Sequence, residues 1–162
     1  MKSTASKRVV LDSLRFAYEK TLEASDVLDG KLQTILNYSS VAVSVASAVM
    51  ASTLISQVGV SFWIILAIAL GTYVALFLVV MNGLKPRSFF LPVSANIETI
   101  EKQYYKSTED EALEQAIVDH VHFRKLLENE NNFYKARALK AATWLMATMV
   151  YLLVTAVPIG LL

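Results

Sequence analysis

The sequence predicts an all-α integral membrane protein with three transmembrane helices, two of them continuous with long cytoplasmic helices. Hydrophobic residues make up 55% and charged residues only 18% of the 162 positions, a composition typical of membrane proteins. No Asp, Glu, Lys, Arg or His occurs between Lys31 and Lys85. A core helix of a soluble protein normally keeps a polar stripe for solvent, so the long uncharged run favours a bilayer.

The uncharged run is long enough for two membrane spans, because one span needs about 20 mostly apolar residues. A cluster of Gln57, Gly59 and Ser61 interrupts it. We therefore place the first span at 33–55, the second at 60–81, and a third at 141–162. Residues 1–162 are expected to form a single membrane domain.

The positive charges predict how these spans are oriented. Lys31 precedes the first span, Lys85 follows the second and Lys140 precedes the third. Short loops rich in Lys and Arg stay in the cytoplasm, so all three residues point to a cytoplasmic N-terminus. All other charged side chains fall on the same side, which places the C-terminus outside. The start of the chain lacks the apolar core of a signal peptide, so we expect it to be retained.

Long cytoplasmic helices are predicted on both sides of the first two spans. Apolar residues from Leu11 to Leu32 recur at helical spacing, so the first helix should run over 7–55. The cytoplasmic insert, 85–140, is predicted to contain a turn, a short helix and a long helix from Glu109 into the third span. Thr108 and Glu111 have the spacing of a capping box at its start. The apolar stripes need a partner, either each other or a neighbouring subunit.

Catalytic chemistry is not expected. His120 and His122 are two residues apart and point to different helix faces, so one metal ion cannot easily bind both. The chain has no phosphate-binding glycine loop and no nucleophile motif, and no cysteine. Its net charge of +1 argues against direct nucleic-acid binding. We therefore predict a protein without enzymatic activity, metal or cofactor.

Four polar residues share one face of the first span: Asn37, Ser40, Ser44 and Ser47. This face has two interpretations. It lines a polar pore once several copies gather, or its small side chains let neighbouring helices approach closely. The two interpretations are compatible.

Polar residues also interrupt the apolar stripe of the long helix, at His120, Arg124 and Asn131. They would contact a small anionic ligand, fix the register of an oligomer, or form a satisfied intramolecular network. With Lys102 and Tyr105, His120 and Arg124 offer the cationic and aromatic groups that suit a nucleotide.

Three short motifs give the chain a family resemblance. They are "DGK" at Asp29–Lys31, where the first helix enters the membrane, "KPR" at Lys85–Arg87, and "NENNFYKARALKAATW" before the last span. With the helical insert between the last two, they resemble the small transmembrane effector modules of prokaryotic anti-phage nucleotide-signalling systems, the Pycsar-type transmembrane effector domain and the related SLATT modules. Asp29 and Lys31 are otherwise interpreted as ordinary boundary residues.

The resemblance implies an inner-membrane effector of anti-phage defence that oligomerises and, when triggered, permeabilises or depolarises the membrane. Its C-terminus would then be periplasmic, and its partners would be membrane lipid and further copies of itself. Members of these families often carry a nucleotide-sensing domain, and no separate sensor is evident here. The trigger would therefore be a cyclic nucleotide bound by the cytoplasmic helices, or a soluble sensor protein.

Two alternative functions remain open from the sequence. One is a non-conducting membrane scaffold or accessory subunit whose cytoplasmic helices dock a soluble partner. The other is a nucleotide-gated membrane sensor that passes a signal on.

Overall fold

The computed structural model describes residues 4–53, 59–85 and 107–160, and nearly all of them are helical. Helix α1 spans Thr4–Thr53, α2 spans Val60–Leu84, α3 spans Glu109–Leu126 and α4 spans Phe133–Gly160. A π-helical segment, Leu127–Asn132, joins α3 to α4 without a break. The prediction of an all-helical protein is thereby confirmed, with α1 beginning three residues before the predicted start.

Helix α3 begins with the capping box that the sequence predicted. The Glu111 backbone N–H donates to the Thr108 hydroxyl at 3.5 Å, and the Thr108 backbone N–H donates to the Glu111 carboxylate at 3.0 Å. Acidic residues occupy the first turn and Arg124 and Lys125 the last turn, as the helix dipole favours. The prediction of a capped helix start is confirmed.

The chain divides into two compact units. The first comprises Met1–Val27 and Pro86–Tyr134. Within it, the N-terminal part of α1 runs parallel to α3 and the π-helical segment. Near the start of both helices Lys7 pairs with Asp110 at 2.5 Å, and further along both Asn131 pairs with Ser25 at 3.0 Å. Polar contacts therefore connect the two parallel helices both near their start and further along.

The second unit comprises Leu28–Lys85 and Lys135–Leu162 and contains a three-helix bundle. Its core is formed by Leu32, Leu76, Val80 and Ala142.

Contacts at the two ends of the bundle fix the helix directions. Near one end lie Leu32 of α1, Gly83 of α2 and Ala138 of α4. A small cleft further along is lined by Val43, Leu66 and Met149, among others. Residue numbers rise along α1 and α4 but fall along α2, so α4 is parallel to α1 and α2 is antiparallel to both.

Among the described residues, two helices are long and apolar enough to cross a membrane. They are Val60–Leu84, with a mean hydropathy of 2.7, and the continuous helix Glu109–Ala156, with a mean hydropathy of 1.5 in its most apolar stretch. Only 17% and 11% of these stretches are buried within the chain, whereas the core helix of a soluble protein is mostly buried. The predicted first span, in α1, is not among the two.

The π-helical segment shifts the buried face of the long helix by one residue. Downstream of it, residues 135, 142, 149 and 156 are buried, at a spacing of seven. Upstream, His120 and Leu127 have the same spacing, but Leu127 and Lys135 are eight apart. A π-helix closes i→i+5 hydrogen bonds and accommodates one extra residue. The sequence had instead predicted an uninterrupted α-helix from Glu109 into the third span, and Tyr134, the residue before Lys135, is 48% exposed.

Candidate functional site

A largely buried ion pair lies at the charged end of the second unit. The Lys135 ammonium donates to Asp29 Oδ2 at 2.6 Å, and the two side chains are 9% and 32% exposed. The other oxygen, Asp29 Oδ1, is buried and has no hydrogen-bond partner. Lys31, the other residue of the predicted motif, is exposed. The sequence did not identify Lys135 as the partner of Asp29, because Lys135 comes onto the buried face through the extra residue of the π-helical segment.

The four polar residues of the first span occupy different surroundings. Ser40 is half-buried, and its hydroxyl lies 3.0 Å from the Tyr73 hydroxyl of α2. Ser44 and Ser47 are exposed and donate to backbone carbonyls one turn back in α1, each at 2.8 Å. The exposed Asn37 side chain makes no hydrogen bond within the described part of the chain. Ser40 therefore contributes to helix packing, while Asn37 and Ser44 face away from the bundle.

Helix α2 approaches its neighbours most closely at Gly83. A Cβ added there would lie 2.8 Å from Ala138 Cβ and 3.0 Å from Leu32 Cδ1. Small side chains at such positions let membrane helices pack closely. Gly83 thus permits the contact between α2 and both parallel helices, next to the end where the ion pair lies.

A polar layer crosses the first unit. His120 is buried, its Nδ1 lies 2.8 Å from the Ala116 carbonyl, and its ring meets Tyr18 edge-on at 6.4 Å. Burial raises the pKa of the Tyr18 hydroxyl. The Asn131 amide donates to the buried Ser25 hydroxyl at 3.0 Å. His120 and Asn131 therefore engage in contacts within the chain.

Arg124 differs from the other two polar residues of its helix. It is half-buried, and its Nε is buried without a hydrogen-bond partner. The neighbouring Asn132, which sequence reasoning passed over, donates to the Thr21 carbonyl at 3.0 Å while its Oδ1 is buried and unpaired. The polar run "NENN", which ends at Asn132, was the sequence feature that could have identified this residue. Lys102 and Tyr105 lie outside the described residues.

Charged residues join the N-terminal ends of α1 and α3. Lys7 donates to Asp110 at 2.5 Å and to Glu114 at 2.6 Å, and Arg8 pairs with Glu109. The hydrogen bond to Asp110, followed by that to Glu114, raises the pKa of Lys7. The hydrogen bond from the Thr108 backbone N–H lowers the pKa of Glu111.

The described part of the chain contains no group of three or more His, Asp or Glu side chains placed to hold a metal ion. The Lys135–Asp29 pair and the Asn131–Ser25 hydrogen bond each connect two helices within one unit. Neither a scan of protein-family models nor searches of curated proteins and of solved structures found a match.

Proposed function

We propose that this chain is an integral membrane protein that self-assembles and permeabilises the membrane. The observation that carries the membrane assignment is the apolar outer surface of the second unit. Large apolar side chains on all three of its helices are between 51% and 69% exposed: Tyr38, Val41, Val45, Trp63, Ile64, Ile68, Val74, Leu78, Trp144, Tyr151 and Val154. Lipid tails cover such a surface, whereas water does not.

The helix directions support three spans with one charged end. Because α1 and α4 are parallel and α2 is antiparallel, Lys31, Lys85 and Lys140 come at the same end of the bundle. Positive charge is retained in the cytoplasm, so this end and the N-terminus are proposed to be cytoplasmic. Trp63 and Trp144 then lie at opposite ends, as the aromatic anchors of the two interfaces.

This topology is tested with single cysteines, since the natural sequence has none. Lys31→Cys, Lys140→Cys and Ser61→Cys introduce a thiol at positions that are exposed in the structure. In spheroplasts, a membrane-impermeant maleimide should label Ser61→Cys only, and all three after lysis. Labelling of Lys140→Cys in intact spheroplasts would exclude the proposed topology.

The outward polar groups of α1 support self-assembly and permeabilisation. Asn37 lies six residues beyond Lys31, or about 9 Å further along the helix. Its unpaired amide would therefore enter the hydrocarbon region, where an unsatisfied polar group is unfavourable. A second copy or a water-filled path would satisfy it, and Ser44 on the same face extends this polar strip. The proposal is thus a polar path lined by α1 helices from several copies.

The pore face is tested by replacing the two outward-facing residues Asn37 and Ser44 together with Leu. Induced wild-type protein should admit a normally excluded dye into cells, and the double Leu variant should not. The control is Thr72→Val with Thr148→Val, which removes two exposed hydroxyls from α2 and α4 that also donate to their own helix. Equal dye entry with the wild type and the double Leu variant would contradict the pore face.

The proposed biological role is anti-phage defence at the bacterial inner membrane. It is supported by the resemblance of the "DGK" and "NENNFYKARALKAATW" segments to the transmembrane effector modules. The trigger would act on the first unit, through which both continuous helices extend.

A scaffold function is the second candidate, favoured by apolar side chains exposed on the first unit, including Val9, Phe16, Val27 and Val118. Outside the membrane such side chains suit a protein partner. A scaffold would capture a stoichiometric soluble partner and leave membrane permeability unchanged.

A further inference from the structure

A groove runs along the first unit between α1 and the helix that carries Arg124. Its volume is about 440 Å³, within the usual range of small-molecule sites. Phe16 and Lys20 line its α1 side, and Arg124, Glu128 and Asn132 line the other. The latter three are four residues apart and share one helix face.

Arg124 is the unsatisfied cation of this groove. Its Nε is buried without an acceptor, and no carboxylate within the described part of the chain forms an ion pair with it. Glu128, one turn further along, forms none either. Lys20, in contrast, already pairs with Glu23 at 2.5 Å and lies 5.8 Å from the centre of the Phe16 ring. A half-buried guanidinium without a partner is unfavourable, so an anion beside Arg124 would be stabilised.

The other residues that line the groove indicate which further chemical groups the anion should have. Arg124 matches one negative group on a ligand, and the Glu128 carboxylate, which also has no ion-pair partner in the described part of the chain, disfavours a second. Glu128 and the unpaired Asn132 Oδ1 are acceptors, so they call for a hydrogen-bond donor on the ligand. The Phe16 ring, 62% exposed, offers a surface for a flat apolar group.

We propose that this groove binds a small organic monoanion that combines a planar ring with a hydrogen-bond donor. Its negative group pairs with Arg124, its donor faces Glu128 and Asn132, and its ring packs on Phe16. The inference does not depend on whether the second unit permeabilises membranes, because its contacts all lie in the first unit.

The test uses the full chain in nanodiscs and three matched small-molecule probes. Saturation-transfer NMR measures the binding of each probe. The first probe, 4-aminobenzoate, has the charge, the donor and the ring, while benzoate lacks the donor and 4-aminobenzamide lacks the charge. Wild-type protein should bind 4-aminobenzoate most tightly. Removing the cation with Arg124→Gln should weaken that binding about tenfold or more.

Two variants separate the site from general effects. Lys125→Gln removes the same charge at the adjacent, exposed position and should leave 4-aminobenzoate binding unchanged. Arg124→Lys keeps the charge and should retain part of the binding, even if the Gln variant folds poorly. Equal 4-aminobenzoate signals from wild type and both Arg124 variants, or no preference for it over 4-aminobenzamide, would overturn the proposal.

Discussion

Lys135 donates a hydrogen bond to Asp29 across 2.6 Å, between the parallel helices α1 and α4 of the second unit. Removing one partner leaves the other charge largely buried. We expect Lys135→Met or Asp29→Asn alone to lower the free energy of unfolding by roughly 2 to 4 kcal/mol, near the low end for buried pairs because a third of Asp29 is exposed. Urea unfolding in detergent measures the change.

The double variant Asp29→Asn/Lys135→Met provides the control for this pair. With neither charge left uncompensated, it should be more stable than either single variant. Additive losses in the double variant would show that the two residues act independently.

Close packing at Gly83 predicts a strong response to a single methyl group. A Cβ there would lie 2.8 Å from Ala138 Cβ, so Gly83→Ala should force α2 away from its neighbours and lower stability by about 1 to 3 kcal/mol. Gly71→Ala is the matched control, because a Cβ at position 71 meets no atom within 4 Å. The thermal midpoints of the two variants in detergent check the prediction, and similar midpoints would contradict the close approach.

The raised pKa of Lys7 predicts that the protein loses stability at high pH. The pKa of Lys7 is raised above the ordinary value of 10.5, first by the hydrogen bond to Asp110 and then by that to Glu114. Its contribution is therefore complete below the unfolded-chain pKa and is lost as the pH rises through the folded value. The urea midpoint of unfolding should decrease as the pH rises through this range. A fluorophore attached to Asn129→Cys, at an exposed position, reports the unfolding. A Lys7→Met variant should show a weaker fall, and an identical slope would contradict the assignment.

The lowered pKa of Glu111 predicts that the start of α3 loses stability at low pH. The pKa of Glu111 lies below the ordinary value of 4.5, chiefly because its carboxylate accepts the Thr108 backbone N–H. This contribution is complete above the unfolded-chain pKa and is lost as the pH falls through the folded value. The protection of the first α3 amides against hydrogen exchange should drop in that window. Glu111→Gln should have lower protection at neutral pH and a flatter profile.

The hydrogen bond from Asn131 to Ser25 should couple the two residues energetically. Ser25→Ala and Asn131→Ala each remove one partner, and the double variant removes both. A double-mutant cycle of unfolding free energies should give a coupling of about 1 kcal/mol. No measurable coupling would show that the contact contributes nothing to the pairing of α1 with the π-helical segment.

The helices were predictable because their signals are local. The capping box needs only Thr108 and Glu111, and the uncharged run after Lys31 is evident in composition. The ion pair was not predictable from the sequence, because Lys135 reaches the inner face only through the extra residue of the π-helical segment. Regular spacing carries no signal for such an insertion.

The polar residues illustrate the same limit. Periodicity placed His120, Arg124 and Asn131 on one stripe of the long helix, but it could not tell which would find partners on α1. Asn131 meets Ser25 because α1 runs parallel to its helix, and this pairing depends on tertiary packing. The serines of the first span likewise differ in their surroundings, because only Ser40 contacts Tyr73 of α2.

The central claim, that this chain compromises a membrane, is tested most directly by the membrane potential of bacterial cells. A voltage-sensitive dye would follow cells in which the protein is induced alone and cells that are also infected with phage. The proposal predicts depolarisation that requires the protein and is absent in the variant with Leu at positions 37 and 44. An unchanged potential in both conditions would contradict it and favour a non-conducting scaffold.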